Sequence, residues 1–358
     1  MKKALIILIL LSLLIPSVLA TDDSEIETDA LTQELDEDVA ELLPEYSNTE
    51  PMDFFDSLKN MFFGAFTKAN DSLKSALRLC AVLLSLLTLC AITQMSGAVQ
   101  AANAIILAGS LGITVAMMGD FQSMVQLAKQ TVEDMADYSA CYLPIMASST
   151  MASGGITSST VLYSGTVLFS QLLMRLISKL LIPGVYFYIA VATAESALGS
   201  QMLSEIREFI GWLISKTLRI VMYIFIAYMT ITGVISGTSD ATTVKATKAA
   251  VSGMIPVVGS IVSDASESLI ASASMLKSSV GVFGMLAVMG ICIVPFLRVG
   301  IQYLMLKVTS AVSGTVGLEP HVKLLKHFSQ AMGYLLGMCG AYVLMLLISS
   351  VCFLKVMV

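Results

Sequence analysis

Charged side chains are scarce in this chain of 358 residues: they make up 13% of it, while 56% is hydrophobic. Soluble domains carry about 25% charged residues, so an ordinary water-soluble protein is excluded. Nucleic-acid binding as the main activity is excluded too, because it needs a strongly basic surface. Only two histidines and one tryptophan occur, and two histidines exclude a His-rich metal centre. The six cysteines contain no CxxC pair: Cys80, Cys90, Cys292, Cys339 and Cys352 lie in apolar runs, and Cys141 stands beside Tyr142. They read as small apolar packing residues rather than a disulfide framework. There is no GxxxxGK[ST] phosphate loop, no GxGxxG, no HExxH and no GxSxG, and no carboxylate pair stands alone in an apolar run. No catalytic, cofactor-binding or metal-binding residue is therefore assigned, and no cofactor is expected. The chain reads as a protein that is not an enzyme, with energy for any transport drawn from a partner or an ion gradient.

What the sequence does contain is segregated. Residues 21–50 hold twelve acids and no Lys or Arg, whereas residues from 51 onward carry 18 basic and 14 acidic side chains. Ahead of the acidic stretch, Lys2 and Lys3 precede an apolar run, Ala4–Leu14, then Pro16 and the small-residue end Val18–Leu19–Ala20. That order predicts a secretory signal peptide over 1–20, cleaved after Ala20. The leader 21–50 has no apolar core to fold around, so it is expected to be disordered and extracytoplasmic. Residues 51–75 are expected to form an amphipathic helix with a Phe-rich stripe (Phe54, Phe55, Leu58, Phe62, Phe66). Residues 76–358 read as a membrane domain.

The mean hydropathy of +0.84 comes from long apolar segments, about 76–95, 99–119, 155–174, 180–199, 218–236, 278–294, 295–314 and 331–354. A bilayer crossing needs about 20 such residues. The fold class expected is all-α: a polytopic integral membrane helix bundle with amphipathic connector helices. Connector 120–137 shows apolar positions at helical spacing (Phe121, Met124, Val125, Ala128, Val132, Met135) and an acidic polar face. That face suits packing on protein better than anionic lipid. Connector 201–216 carries Trp212 as a headgroup-level anchor. Arg175–Lys179 and His321–His327 read as basic loops between crossings, with the two histidines solvated.

An internal repeat is visible in the prolines. Pro144 and Pro256 sit in the same pattern, apolar-Pro-apolar-apolar-small-Ser, 112 residues apart, and Pro183 and Pro295 are also 112 apart. Shifting the spans of one half by that offset lands on spans of the other, defining units 142–240 and 254–354. Three spans per unit would reverse the second unit, giving an inverted repeat of the kind in which Pro-interrupted segments mark a transport site. Pro144 and Pro256 are then expected to break helices. Glu195 and Lys307, twelve residues after Pro183 and Pro295, occupy equivalent positions with opposite charge. A charge at the centre of a bilayer helix costs about 2.5–3.5 kcal/mol on insertion scales, so the two are expected to pair near the axis relating the units or to line a polar path.

The run Lys245–Gly259, continuing through Asp264–Glu267 to Lys277–Gly281, resembles the stage III sporulation protein AE family, and the likeness extends over most of the chain. The resemblance implies a multi-pass plasma membrane protein, in the mother-cell membrane facing the forespore. It implies membership of a channel complex with other membrane proteins and a cytoplasmic secretion-type ATPase. It brings no catalytic residues. The function expected is a membrane component of that mother cell–forespore transport channel. The alternatives are a stand-alone permease built on the inverted repeat and a structural scaffold for complex assembly. Membrane lipid is an expected partner and nucleic acid is not.

Overall fold

A computed structural model describes Val39 and residues 54–95, 102–152, 156–231, 279–315 and 318–356. The signal segment 1–20, the rest of the leader, and Pro256 with its segment 254–267 lie outside the described residues. Among the described residues the chain is helical without strands: α1 (Phe54–Lys68), α2 (Asn70–Met95), α3 (Ala102–Ala152), α4 (Ile156–Leu176), a π-helical turn (Ile177–Leu181), α5 (Ile182–Leu198), α6 (Gln201–Ile231), α7 (Ser279–Ser313) and α8 (Glu319–Val356). An apolar surrounding leaves the backbone only its own partners, which is why such sequence becomes helix. Six stretches are long and apolar enough to cross a membrane: Asn70–Gln94, Ala102–Met151, Ser158–Leu198, Gln201–Thr230, Gly281–Ser313 and Glu319–Lys355. The chain is thus an all-α, polytopic membrane bundle.

The eight apolar runs fall into six long helical stretches because runs 155–174 and 180–199 join and runs 278–294 and 295–314 join, and a further expected break after residue 119 does not occur either. Run 99–119 continues into connector 120–137 and past Pro144 as the single helix α3. The connector's stripe faces inward, with Phe121, Val125, Ala128, Val132 and Met135 buried. Pro144 lacks an N–H and would break an isolated helix. Here Tyr142, Leu143, Met146 and Ala147 are buried on either side of it and hold the turn. Pro295 is likewise interior to α7. Arg175 and Lys179 are not a loop. The π turn joins α4 to α5 through them, and Pro183 sits in the first turn of α5, where a missing N–H is tolerated next to the irregular turn.

The helices pair as antiparallel hairpins. Rod α4–α5 ends at Gly199, whose φ of +63° is left-handed and whose N–H donates to the Glu195 carbonyl at 2.8 Å. Glycine reaches that conformation without a Cβ clash. The chain then returns as α6, and contacts run in reversed register: Glu195 with Arg207, Gly184 with Ile214, Phe169 with Phe225, Val161 with Tyr228. Helices α7 and α8 do the same, Ser329 donating to the Tyr303 carbonyl and Gly281 lying against Leu354. The proposed repeat units therefore hold two long described helices each, not three spans. Gly211 meets Tyr334 and Leu218 meets Gly337, so α6 runs parallel to α8 and the described parts of the two units share one sense, not the inverted one expected from three spans.

Helix α8 is the hub. It packs on α3, α4, α5, α6 and α7, and 83% of its most apolar window is buried inside the bundle. Helix α1 docks on α7 through Met61, which is buried near Gly290. Phe62, Phe63 and Phe66 face outward, the arrangement of a helix presenting aromatics to lipid.

Candidate functional site

Three helices converge on a polar cleft inside this apolar bundle. Helix α5 supplies Tyr188 and Glu195, seven residues and about two turns apart, hence on one face. Helix α6 supplies Arg207, and α8 supplies His327, Gln330 and Tyr334, spaced three and four apart along one stripe. Arg207 Nε donates to Glu195 Oε2 at 2.5 Å, and the two side chains are only 10% and 17% exposed. The same guanidinium donates to Ser204 Oγ at 3.1 Å and to Glu208 Oε1 at 3.4 Å. A charge-assisted pair of this kind is the stable way to keep two ions away from water.

A hydroxyl and amide chain runs on from the pair. Tyr188 donates its phenol proton to Gln330 Oε1 at 3.0 Å and lies 3.3 Å from His327 Nδ1. Gln330 Nε2 donates to the Tyr334 oxygen at 2.8 Å, and the Tyr188 and Tyr334 rings meet edge to face at 5.4 Å. Gly211 makes room for this: a Cβ there would stand 2.5 Å from the Tyr334 hydroxyl. Two hollows flank the ion pair. One, of about 330 Å³, is lined by Arg207, Lys216, Arg219, Trp212, Gln330 and Tyr334 among others. The second, of about 310 Å³, is lined by Glu195, Ser196, Ser204, Lys323 and His327 among others. Arg207 lines the first hollow and Glu195 the second, so the ion pair stands between them.

Beside the second hollow, Ser110 and Ser196 hydroxyls lie 2.8 Å apart, Thr114 and Thr193 3.1 Å apart, and Ser196 donates to the Pro320 carbonyl at 3.0 Å. His321 Nε2 donates to the Ile106 carbonyl at 3.0 Å, so His321 is a buried strut between α8 and α3, not a solvated loop residue. Interhelical hydroxyl bonds of this sort fix helix register in membrane bundles. Among the described residues no three His, Cys, Asp or Glu side chains converge as metal ligands.

The residues singled out in the sequence are placed differently from one another. Glu195 is at the centre of the cleft, but Lys307 is not: it is exposed on α7, donates to its own neighbour Tyr303 at 3.0 Å and lies over that ring. The expected Glu195–Lys307 pair is replaced by Glu195–Arg207. Pro144, Pro183 and Pro295 shape helices α3, α5 and α7 and do not line either hollow. The sequence reading missed Arg207, Tyr188 and Gln330, and it placed His327 in a solvated loop, whereas His327 is half-buried within α8 against Tyr188. One signal for Arg207 was available: Glu195 and Arg207 stand six residues on either side of Gln201, just past a Gly-containing turn.

Comparison with known proteins gives a consistent picture. No solved structure matches. A relative described as stage III sporulation protein AE, from Bacillus subtilis (strain 168), is 20% identical over 237 residues, covering 66% of this chain and 59% of the relative. The family model for stage III sporulation protein AE matches residues 34–356, which takes in every long helix described above, and the chain accordingly belongs to that family.

Proposed function

We propose that this protein is a membrane component of a transport channel between mother cell and forespore, lodged in the mother-cell membrane that faces the forespore. It works with other membrane proteins of that complex and with a cytoplasmic secretion-type ATPase, and performs no catalytic step itself. Membership of a sporulation family and six candidate crossings support this reading. The observation that carries it is the ion pair Glu195–Arg207, largely shielded from water between two hollows among α5, α6 and α8. Two ions shielded from water by packed helices are costly to keep unless they serve a role beyond packing, and a pair set beside two hollows suits the gating of a passing solute.

Crosslinking and pull-down of the full chain from sporulating cells tests the assignment. Co-recovery of further membrane proteins and an ATPase is expected; recovery of the chain alone would overturn it. Reconstituting the purified chain in liposomes separates the alternatives. Solute movement without partners would mean a stand-alone permease. Assembly of the complex and forespore gene expression that survive Glu195→Gln with Arg207→Gln would mean a scaffold.

A further inference from the structure

Helix α3 has one face that the bundle leaves uncovered. Its most apolar window is 28% buried, the lowest share among the six membrane-length stretches. Ala104, Ala108, Leu111, Val115 and Met118 are exposed along it, Val115 at 76%. They recur at intervals of four, three, four and three residues, the seam spacing by which one helix packs along another. To one side of the seam Gly112 lies against Leu86 of α2, and to the other the Thr114 hydroxyl meets that of Thr193 on α5. The seam is a strip between these two neighbours that neither covers.

Lipid does not account for this face. Helix α8 runs parallel to α3, with His321 at Ile106, Phe328 at Phe121 and Cys339 at Ala128, and α6 runs parallel to α8. Ser110 meets Ser196, the neighbour of Glu195, which holds Arg207. Exposed Glu205 and Glu208 beside Arg207, and exposed Lys323 and Lys326 just after His321, therefore stand at the depth of the seam. A bilayer has one polarity around the whole bundle at a given depth, and exposed charges do not face hydrocarbon. Large aliphatic side chains exposed at that depth mark a surface covered by protein.

The seam's chemistry selects a second copy of this chain. Copies of one membrane protein share one orientation, so a two-fold axis between them follows the membrane normal and brings the same helix together in parallel. Each seam residue then meets its own counterpart. The seam suits such self-pairing. Its alanines let the helices approach closely at one end, aliphatic side chains fill the middle, and exposed Gln122 and Gln126 continue the face. An amide is donor and acceptor at once and can pair with its own copy, which a charge cannot. Asp120 is off the seam, about 160° round the helix from Ala104 at 3.6 residues per turn. The next charges on the face, Lys129 and Glu133, already pair with each other at 3.5 Å. We infer that α3 packs in parallel on α3 of a second copy of this chain, along Ala104, Ala108, Leu111, Val115, Met118 and Gln122. The pairing is independent of what the channel carries.

Disulfide trapping in native membranes tests it. The full chain, freed of its six native cysteines and carrying Leu111→Cys, Val115→Cys or Met118→Cys, should form a linked dimer on mild oxidation, because each position meets itself within reach of a disulfide. Leu304→Cys, at an exposed aliphatic position on α7, should stay monomeric. No dimer from any seam position, equal dimer from Leu304→Cys, or a Val115→Cys link to a different protein in place of the dimer overturns the pairing. Should the cysteine-free chain fail to fold, the unsubstituted chain decides. Native mass spectra of the solubilised protein should show twice the mass of one chain. Val115→Glu sets two carboxylates against each other and should halve that mass, without unfolding a helix on which Val115 is exposed. A monomeric unsubstituted chain, or a Val115→Glu chain that stays dimeric, overturns the pairing as well.

Discussion

Glu195 and Arg207 illustrate how an asymmetric environment sets the cost of losing each member of an ion pair. Removing one partner of a buried pair costs about 3–5 kcal/mol, because the other charge stays away from water uncompensated. Arg207 has two further acceptors, Ser204 and Glu208, whereas Arg207 is the cation that Glu195 meets. Arg207→Gln should therefore lower the melting temperature of the solubilised chain more than Glu195→Gln does. Lys307→Gln, at an exposed cation beside Tyr303, should leave it unchanged. Equal losses for Glu195 and Lys307 variants would contradict this ordering. The importance of Glu195 was legible because a carboxylate in an apolar run is conspicuous. Its partner was not, since twelve residues is no helical neighbour spacing; only a hairpin closed at Gly199 brings Arg207 to it.

At the level of elements, apolar runs were legible and their joins were not. Proline and paired charges are the usual punctuation between spans, and here tertiary packing overrides both, at Pro144, at Pro295 and at Arg175–Lys179. The π turn Ile177–Leu181 is invisible in composition, and so is the register of α3 against α5. That register is testable. The Ser110 and Ser196 hydroxyls, on α3 and α5, are 2.8 Å apart, so cysteines placed there lie within reach of a disulfide. In a chain freed of its six native cysteines, Ser110→Cys with Ser196→Cys should oxidise to an intramolecular bridge under mild conditions. Ser110→Cys with Ser164→Cys, an exposed position on α4, should not. Absence of the first bridge in a protein that keeps its helicity would show that α3 and α5 are aligned differently.

For the whole molecule the deciding quantity is length. Helix α3 has 51 residues, about 76 Å at 1.5 Å per residue, against a hydrocarbon core of about 30 Å. The α4–α5 rod, with a 41-residue crossing segment, is about 62 Å long by the same rise. Neither helix fits inside one bilayer, so part of each must stand in water or among headgroups. The side chains indicate where. Ser139 lies against Ser170 and Phe121 against Tyr186, so the two rods are antiparallel and residues 129–137 of α3 lie beside residues 171–179 of the rod. That level carries Lys129, Glu133, Asp134 and Asp137 on one and Arg175 and Lys179 on the other, with Asp137, Arg175 and Lys179 exposed. Exposed charges do not face hydrocarbon. Beyond them, toward the α3–α4 junction, the outward side chains of α4 include Leu168 and Leu172, and the segment has no charge until Arg175. Composition alone placed a bilayer crossing in this region but could not tell which part of a continuous helix is wet. In a chain freed of native cysteines, single cysteines at Asp137 and Lys179 should react with a membrane-impermeant maleimide in intact or permeabilised vesicles, and one at Leu168 should stay protected although protein does not cover it. Protection at Asp137 and Lys179 would place the charged level inside the hydrocarbon and require the long helices to bend where the structure keeps them continuous.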